Sequence, residues 1–274
     1  MKKLFVCLFV MMLSLTGCSS SSENRLETIL ESGVITVVTS PDFPPYEFID
    51  PTKTGNEQYV GADLELARYI ASELGVELEV EAVDFNTVLG NISMGLNDMA
   101  IASMAPTDER LESMSFSISY DPNLDESQDH GLIILEEELG DYTSLESFSD
   151  LVIGVQSASL QEQFTIEQIP NAVTEVISNL NDGVLMLLTG KIDALACSTE
   201  TALQLVLNND GIAMSGVYFD SSSVSQGASV AVPLGEDELV AAIDEIVEKV
   251  LAEGLYDQWV EESQALATSL GLSE

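Results

Sequence analysis

Arg110 stands where a lone cation could do chemistry. The apolar run Met99 to Met104 has the pattern of a buried strand and leads into Ala105-Pro106-Thr107-Asp108-Glu109-Arg110. In a mostly parallel sheet, ligands sit beyond the carboxyl ends of the strands, and a guanidinium placed there grips a carboxylate through two parallel hydrogen bonds. Past residue 25 the chain has only two arginines, Arg68 and Arg110. Arg68 falls in the middle of a helical pattern and reads as a solvated face residue. Arg110 could equally be a first-turn helix residue paired with a neighbouring acid. A second anion-seeking feature lies further on, where Leu151 to Val155 leads into Gln156-Ser157-Ala158-Ser159-Leu160-Gln161-Glu162. Ser159 and Glu162 have capping-box spacing, so a helix starts there with spare N–H groups that can receive an anion. An anion held by Arg110 on one side and Ser159 on the other would draw two parts of the chain together.

The elements that must position these residues alternate between strand and helix. Val34 to Thr39 is a β-rich run closed by Ser40-Pro41-Asp42-Phe43-Pro44-Pro45. Leu64, Ala67, Ile70, Ala71 and Leu74 share one helical face over Asp63 to Leu74, with Gly75 as the stop. Val76, Leu78, Val80 and Ala82 alternate with glutamates as in a half-exposed strand. Val88, Leu89, Ile92 and Leu96 mark the inner face of a second helix, and Met99 to Met104 a buried strand. This β-α-β-α-β order predicts a mostly parallel sheet flanked by helices. Residues 121–130 are polar and turn-rich and read as a crossing that contains His130. Strands at Leu132 to Leu135, Leu151 to Val155, Val173 to Ile177, Ile192 to Cys197 and Ile212 to Met214 follow, with helices starting near Ser159, Asp182 and Thr199. Ser221 to Gln226 reads as the return crossing, before strand Ala228 to Val232, helix Asp237 to Glu253 and a last helix from Leu255. The expected architecture is α/β and bilobed, with residues 29–124 and 226–274 in lobe 1, residues 125–225 in lobe 2, and a ligand cleft between.

Composition bounds the function. The 274 residues carry 47 Asp or Glu against 8 Lys or Arg, a formal charge of −39, which excludes nucleic acid as a partner. Hydrophobic residues still make up 46%, so the chain can bury a core, unlike an acidic disordered tail. Lys2 and Lys3 precede the short apolar run Leu4 to Leu15, a leader too short to span a bilayer comfortably. It ends in Leu15-Thr16-Gly17-Cys18, which resembles a bacterial lipobox, so residues 1–17 are expected to be removed and Cys18 to carry a diacylglycerol. The alternative is an ordinary signal peptide in which Cys18 is incidental. Residues 18–28, with the Ser19 to Ser22 run, read as a flexible tether. Cys7 leaves with the leader and Cys18 is acylated, so Cys197 stands alone and no internal disulfide forms. One His and one spare Cys do not make a zinc site, while a calcium site built from carboxylates alone stays open. No cofactor is expected.

The chain resembles the amino-acid-binding lipoproteins of bacterial ABC importers, the polar-amino-acid branch of the extracellular solute-binding proteins. The resemblance runs from about Ile29 to Trp259. It is carried by Ser40-Pro41-Asp42-Phe43-Pro44-Pro45-Tyr46-Glu47-Phe48, Gly61-Ala62-Asp63-Leu64-Glu65-Leu66-Ala67 and Ala102-Ser103-Met104-Ala105-Pro106-Thr107-Asp108-Glu109-Arg110. Gly154-Val155-Gln156 followed by Ser159 and Glu162, then Gly190-Lys191-Ile192-Asp193-Ala194, then Glu253-Gly254-Leu255-Tyr256-Asp257 continue the series. It implies the type II periplasmic-binding-protein fold and a monomeric, lipid-anchored receptor on the outer face of the cell membrane. The receptor would close over a small carboxylate, most simply an amino acid, and deliver it to a membrane permease. Arg110 would hold the α-carboxylate, helped by backbone groups at Ser103 and Ala105 and by Ser159. Phe43 and Phe85 would wall the ligand side chain, and Ser40 would lie near its side-chain or amino end.

Two positions depart from the family pattern. Ala105 stands where Ser or Thr is usual, removing one hydroxyl contact. Ser198 stands where an Asp or Glu usually grips the α-ammonium, forfeiting a charge-assisted bond of ~1.5–3 kcal/mol. Glu200 is the nearest replacement, although its pattern is that of a surface helix residue. Two other classes are weighed. The same fold resembles periplasmic dehydratases acting on prephenate-like dicarboxylates, which need a general acid and a second cation; beyond Arg110 only Lys53, Arg68, Lys191 and Lys249 remain, none at a strand end expected to face the cleft. A sensor would need a membrane or signalling segment after residue 260, where the sequence shows none.

Overall fold

The computed structural model describes residues 24–121, 130–222, 224 and 227–270. The leader, Cys18 and the serine run lie outside the described residues. So do most of the 121–130 crossing, part of the return crossing, and the lobe boundaries expected at 124/125 and 225/226.

The expected tether, residues 18–28, overlaps a helix. Asn24 accepts from the Leu26 N–H and caps α1 (Arg25–Ser32), which Gly33 ends in a left-handed conformation. Residues 25–28 are therefore helical. The Arg25 guanidinium fixes this helix, pairing with Asp98 at 2.9 Å and Glu236 at 3.3 Å and donating to the Asn97 and Gly95 carbonyls.

The first lobe continues with β1 (Val34–Thr39), β2 (Phe48–Ile49), β3 (Tyr59–Val60), α2 (Ala62–Leu74), β4 (Glu77–Ala82), α3 (Phe85–Ser93), β5 (Met99–Ala100), α4 (Asp108–Leu111) and β6 (Met114–Ser119). The second holds β7 (His130–Leu135), β8 (Val152–Gln156), α5 (Leu160–Gln168), β9 (Val173–Ile177), α6 (Leu180–Leu188), β10 (Ala194–Ser198), α7 (Thr199–Asn208) and β11 (Ile212–Tyr218). The chain then returns as β12 (Ser229–Pro233), α8 (Asp237–Glu253) and α9 (Leu255–Ser269). Two five-stranded sheets result, in the orders β4-β1-β5-β12-β6 and β11-β7-β10-β8-β9. β12 runs antiparallel between β5 and β6, and β7 antiparallel between β10 and β11; the other pairings in these sheets are parallel.

Both faces of each sheet are covered, as expected for sheets with parallel crossovers. On β1, Ile35 and Val37 join a core with α2, α8 and α9, whereas Val38 points to the opposite face against Val88 and Ile92 of α3. In the second lobe Leu132 and Ile134 pack with Phe148 and Phe164, while Ile133 packs with Leu180, Leu187 and Leu205. Period-two alternation thus feeds two cores per sheet.

Several expectations need correction. The strand read over Met99 to Met104 ends at Ala100, where its pairing stops; Ile101, Ala102 and Met104 stay buried, and Ser103 adopts φ 46°. Leu96 lies beyond the end of α3 and is exposed. The last strand before the return extends to Tyr218. His130 does not float in a crossing; it opens β7, paired with Ser198. Arg68 is not simply solvated, because it is half-buried and bonds Glu65 and the Tyr59 carbonyl.

Candidate functional site

A cavity of 510 Å³ lies between the two sheets, a volume suited to a small ligand. Its wall includes Ser40, Phe43, Phe85, Ser103, Ala105, Arg110, Ser159 and Ser198. All eight residues singled out in the sequence are therefore brought to one cleft.

Arg110 is positioned by its own short helix. The Thr107 hydroxyl caps α4 by accepting from the Arg110 N–H at 3.2 Å, and the side chain turns back into the cleft. Nη1 donates to the Ala105 carbonyl at 2.8 Å and Nη2 crosses to the Ala158 carbonyl of the second lobe at 3.2 Å. No carboxylate pairs with it among the described residues, so the pairing with a neighbouring acid is not formed. Its guanidinium carbon lies 5.3 Å from the Phe85 ring centroid, a cation–π arrangement. Burial lowers its pKa to about 10, which leaves it cationic at neutral pH. Two of its five N–H donors are engaged, and the rest of the fork can meet a carboxylate.

Ala158 is held at φ 59°, a sparsely populated region for a residue with a side chain. Its N–H donates to Glu162 Oε2 at 2.7 Å while its carbonyl receives Arg110. Only half of the expected capping box forms: the Ser159 hydroxyl accepts from the Glu162 N–H at 3.1 Å, but Glu162 reaches Ala158 rather than Ser159. Ser159 is buried and opens α5 on the cleft wall.

Ser103 does something other than expected. Its N–H is committed to Asp63 Oδ2 at 2.7 Å, so that group is not aimed at a ligand. Asp63 also accepts from Tyr120 at 2.9 Å and from Tyr256 at 2.6 Å. α2 can begin this close to the Tyr46 carbonyl only because residue 61 is glycine; at φ 123° any side chain would collide with that carbonyl. Ser198 caps α7 by accepting from the Thr201 N–H. Glu200 is not merely a surface helix residue: it is half-buried, lines the cleft and accepts from Gln264 of α9 at 3.4 Å.

The sequence reading missed the acidity of this cleft. Asp42, Glu47, Asp121, Glu200 and Asp257 line it, facing Arg110 as the one arginine or lysine on the wall among the described residues. Asp42 is buried and receives Ser40, Gln156 and the Leu180 N–H. Burial raises its pKa, and these donors oppose the rise. His130 also lines the cleft, bonded to Gln161 at 2.9 Å. Burial lowers its pKa to about 4, so it is neutral at pH 7. Phe43 stacks on Tyr46, with centroids 6.0 Å apart, and packs against cores of both lobes.

Two lobes enclosing a cavity, with side chains of each meeting across it, define a binding protein for a small solute. A sequence profile of the bacterial extracellular solute-binding proteins, family 3, matches residues 35–262, and the chain belongs to that family. A crystal structure of an amino acid ABC transporter substrate-binding protein from Streptococcus pneumoniae Canada MDR_19A, bound to L-arginine, superposes with a TM-score of 0.81 at 31% identity, covering 89% of this chain and 98% of that one. The putative ABC transporter arginine-binding protein 2 of Escherichia coli K12 is 25% identical over 81% of this chain and 87% of its own. A cyclohexadienyl dehydratase of Pseudomonas aeruginosa is 31% identical over 100 residues, 36% of each chain. The chain is thus an extracellular solute-binding protein of the type II bilobed fold. No helix among the described residues is long and apolar enough to cross a membrane.

Proposed function

We propose that this protein captures an amino acid with a cationic side chain, L-arginine first among them, and delivers it to an ABC permease. The observation that carries the reading is the charge layout of the cleft: one buried arginine on a wall otherwise lined by five carboxyl groups. Arg110 takes the α-carboxylate, supported by Ser159 at the start of α5, where free N–H groups favour an anion. The ammonium lies near Ser198 and Glu200, so that Glu200 supplies the negative charge missing at 198. The aliphatic part of the ligand runs between Phe43 and Phe85, with Ser40 close by, and its cation meets Glu47 and Asp121. The arginine-bound structural relative supports this ligand class. Residues 29–124 with 226–274 act as one closing lobe and 125–225 as the other, and Cys18 anchors a monomer to the membrane through its lipid.

The dehydratase reading is disfavoured by the same charges. A dicarboxylate would face five acids with one cation to hold it, and His130 is held neutral. The test is calorimetry on the chain from Ser19, unfolded to strip bound solute and refolded, then titrated with L-arginine, L-glutamine and L-glutamate. Tight binding of L-arginine, lost in Arg110→Ala, is expected. Binding of L-glutamate in preference to L-arginine overturns the reading.

A further inference from the structure

Glu47 and Asp63 are both buried, and their carboxyl groups flank one hydroxyl: Ser103 Oγ lies 3.5 Å from Glu47 Oε2 and 3.3 Å from Asp63 Oδ2. Neither has an ion-pair partner among the described residues. Two carboxyl groups this close together, away from water and without a cation between them, do not both ionise, because each charge raises the cost of the other. The surroundings decide where that proton sits. Asp63 receives the Ser103 N–H and two tyrosine hydroxyls, an environment that favours its anion. Glu47 has only the long contact of 3.5 Å from the Ser103 hydroxyl, and it alone of the pair lines the cavity. The proton therefore belongs to Glu47, on the side where a ligand arrives.

The groups around the pair reinforce this. Asp42 and Tyr46 come from its own loop, Asp63 from α2, Tyr120 and Asp121 from the segment just after β6, and Tyr256 and Asp257 from α9. Glu200 of α7 and His130 of β7 look in from the second lobe, and Arg110 is the cation on the cleft wall. Burial and the charges of Asp63 and Asp42 push Glu47 well above the usual carboxyl range. Desolvation raises Tyr120 and Tyr256, so both phenols remain donors.

We propose that Glu47 and Asp63 hold a single shared proton in the ligand-free cleft and that a cationic ligand side chain displaces it, so that capture of the ligand releases a proton to the medium. The second half rests on the ligand class proposed above. No other bond changes: the Glu47 O–H gives its proton to water or buffer, and the incoming cation replaces that proton as the partner of the pair. Capture then weakens as the medium acidifies, because protons compete with the ligand for one carboxylate.

Two measurements test this. Infrared spectroscopy of the ligand-free protein at neutral pH should show a protonated-carboxyl C=O band that Glu47→Gln lacks. Calorimetry with L-arginine in two buffers of different ionisation heat should report release of about one proton per ligand bound, and none for Glu47→Gln. Absence of the band overturns the shared proton. Binding of L-arginine with buffer-independent heat overturns the displacement, while leaving the arginine reading intact. Failure of L-arginine to bind, with the band present, overturns the ligand reading and supports the shared proton.

Discussion

Gln156, at the end of β8 in the second lobe, donates to the Asp42 carboxylate of the first lobe at 3.0 Å, and the Leu180 N–H that opens α6 donates to the same oxygen at 2.8 Å. One buried acid thus joins the two lobes through a side-chain amide and a helix N-terminus, where negative charge is favoured. Asp42→Ala leaves both donors without that partner, at about 1–3 kcal/mol, and the cost falls only on the closed form. We expect ligand affinity to fall by roughly 5- to 100-fold, with X-ray scattering showing a more open protein at subsaturating ligand. Unchanged affinity and an unchanged scattering profile would show that the contact does not hold the lobes together.

Arg25 makes a different prediction because it is remote from the cleft lining. Its pairs with Asp98 and Glu236 and its bonds to two carbonyls tie the first helix to the turn after α3 and to the start of α8. The ion pairs are partly exposed, so screening keeps each modest, whereas the carbonyl bonds are charge-assisted. Arg25→Ala should lower stability to denaturant by about 1–3 kcal/mol with ligand affinity unaltered. A comparable loss of affinity would mean that α1 takes part in the site.

His130 sets an acid limit on stability. Burial lowers its pKa from 6.5 to about 4, so the unfolded chain takes up a proton at a pH where the folded protein refuses it. Its contribution is whole above pH 6.5 and is lost as the pH falls toward 4. Glu47 and Asp63 act in the opposite sense: their raised values let the folded state keep a proton that the unfolded chain gives up, so they favour folding as pH falls from neutral toward 4.5. Acidification also relieves the repulsion within a chain of net charge −39. The difference between wild type and His130→Gln isolates the first effect. The variant should lose less stability than wild type between pH 6.5 and 4 in urea titrations, and parallel curves would exclude a buried neutral histidine.

How much of this was legible in the sequence depends on the range of the interaction. Val34–Thr39, Val173–Ile177 and Asp237–Glu253 fall where alternation, β-branching and the helical stripe place them, because those signals are local. Helix α1 was hidden by the serine run before it, although Asn24, Glu27 and Gly33 carry its cap, first-turn acid and stop. The strand through Met104 was overextended because apolar character persists after Ala100 while the ladder ends; Ser103 turns left-handed to reach Asp63, forty residues away. Arg110 and Ser159 could be found from strand ends and caps. Asp42, Glu47, Asp121 and Asp257 could not be picked out in the same way: each is one acid among 47, and only the closing of two sheets reveals which of them face the cavity.

The central claim is that one buried guanidinium and an acidic wall together select a cationic amino acid. The most direct test is the ratio of dissociation constants for L-arginine and L-citrulline, which share a shape and differ in side-chain charge. A charge-assisted contact predicts tighter binding of L-arginine by roughly 10- to 100-fold, with Arg110→Ala abolishing both. Equal affinities, or a preference for L-citrulline, would contradict the account.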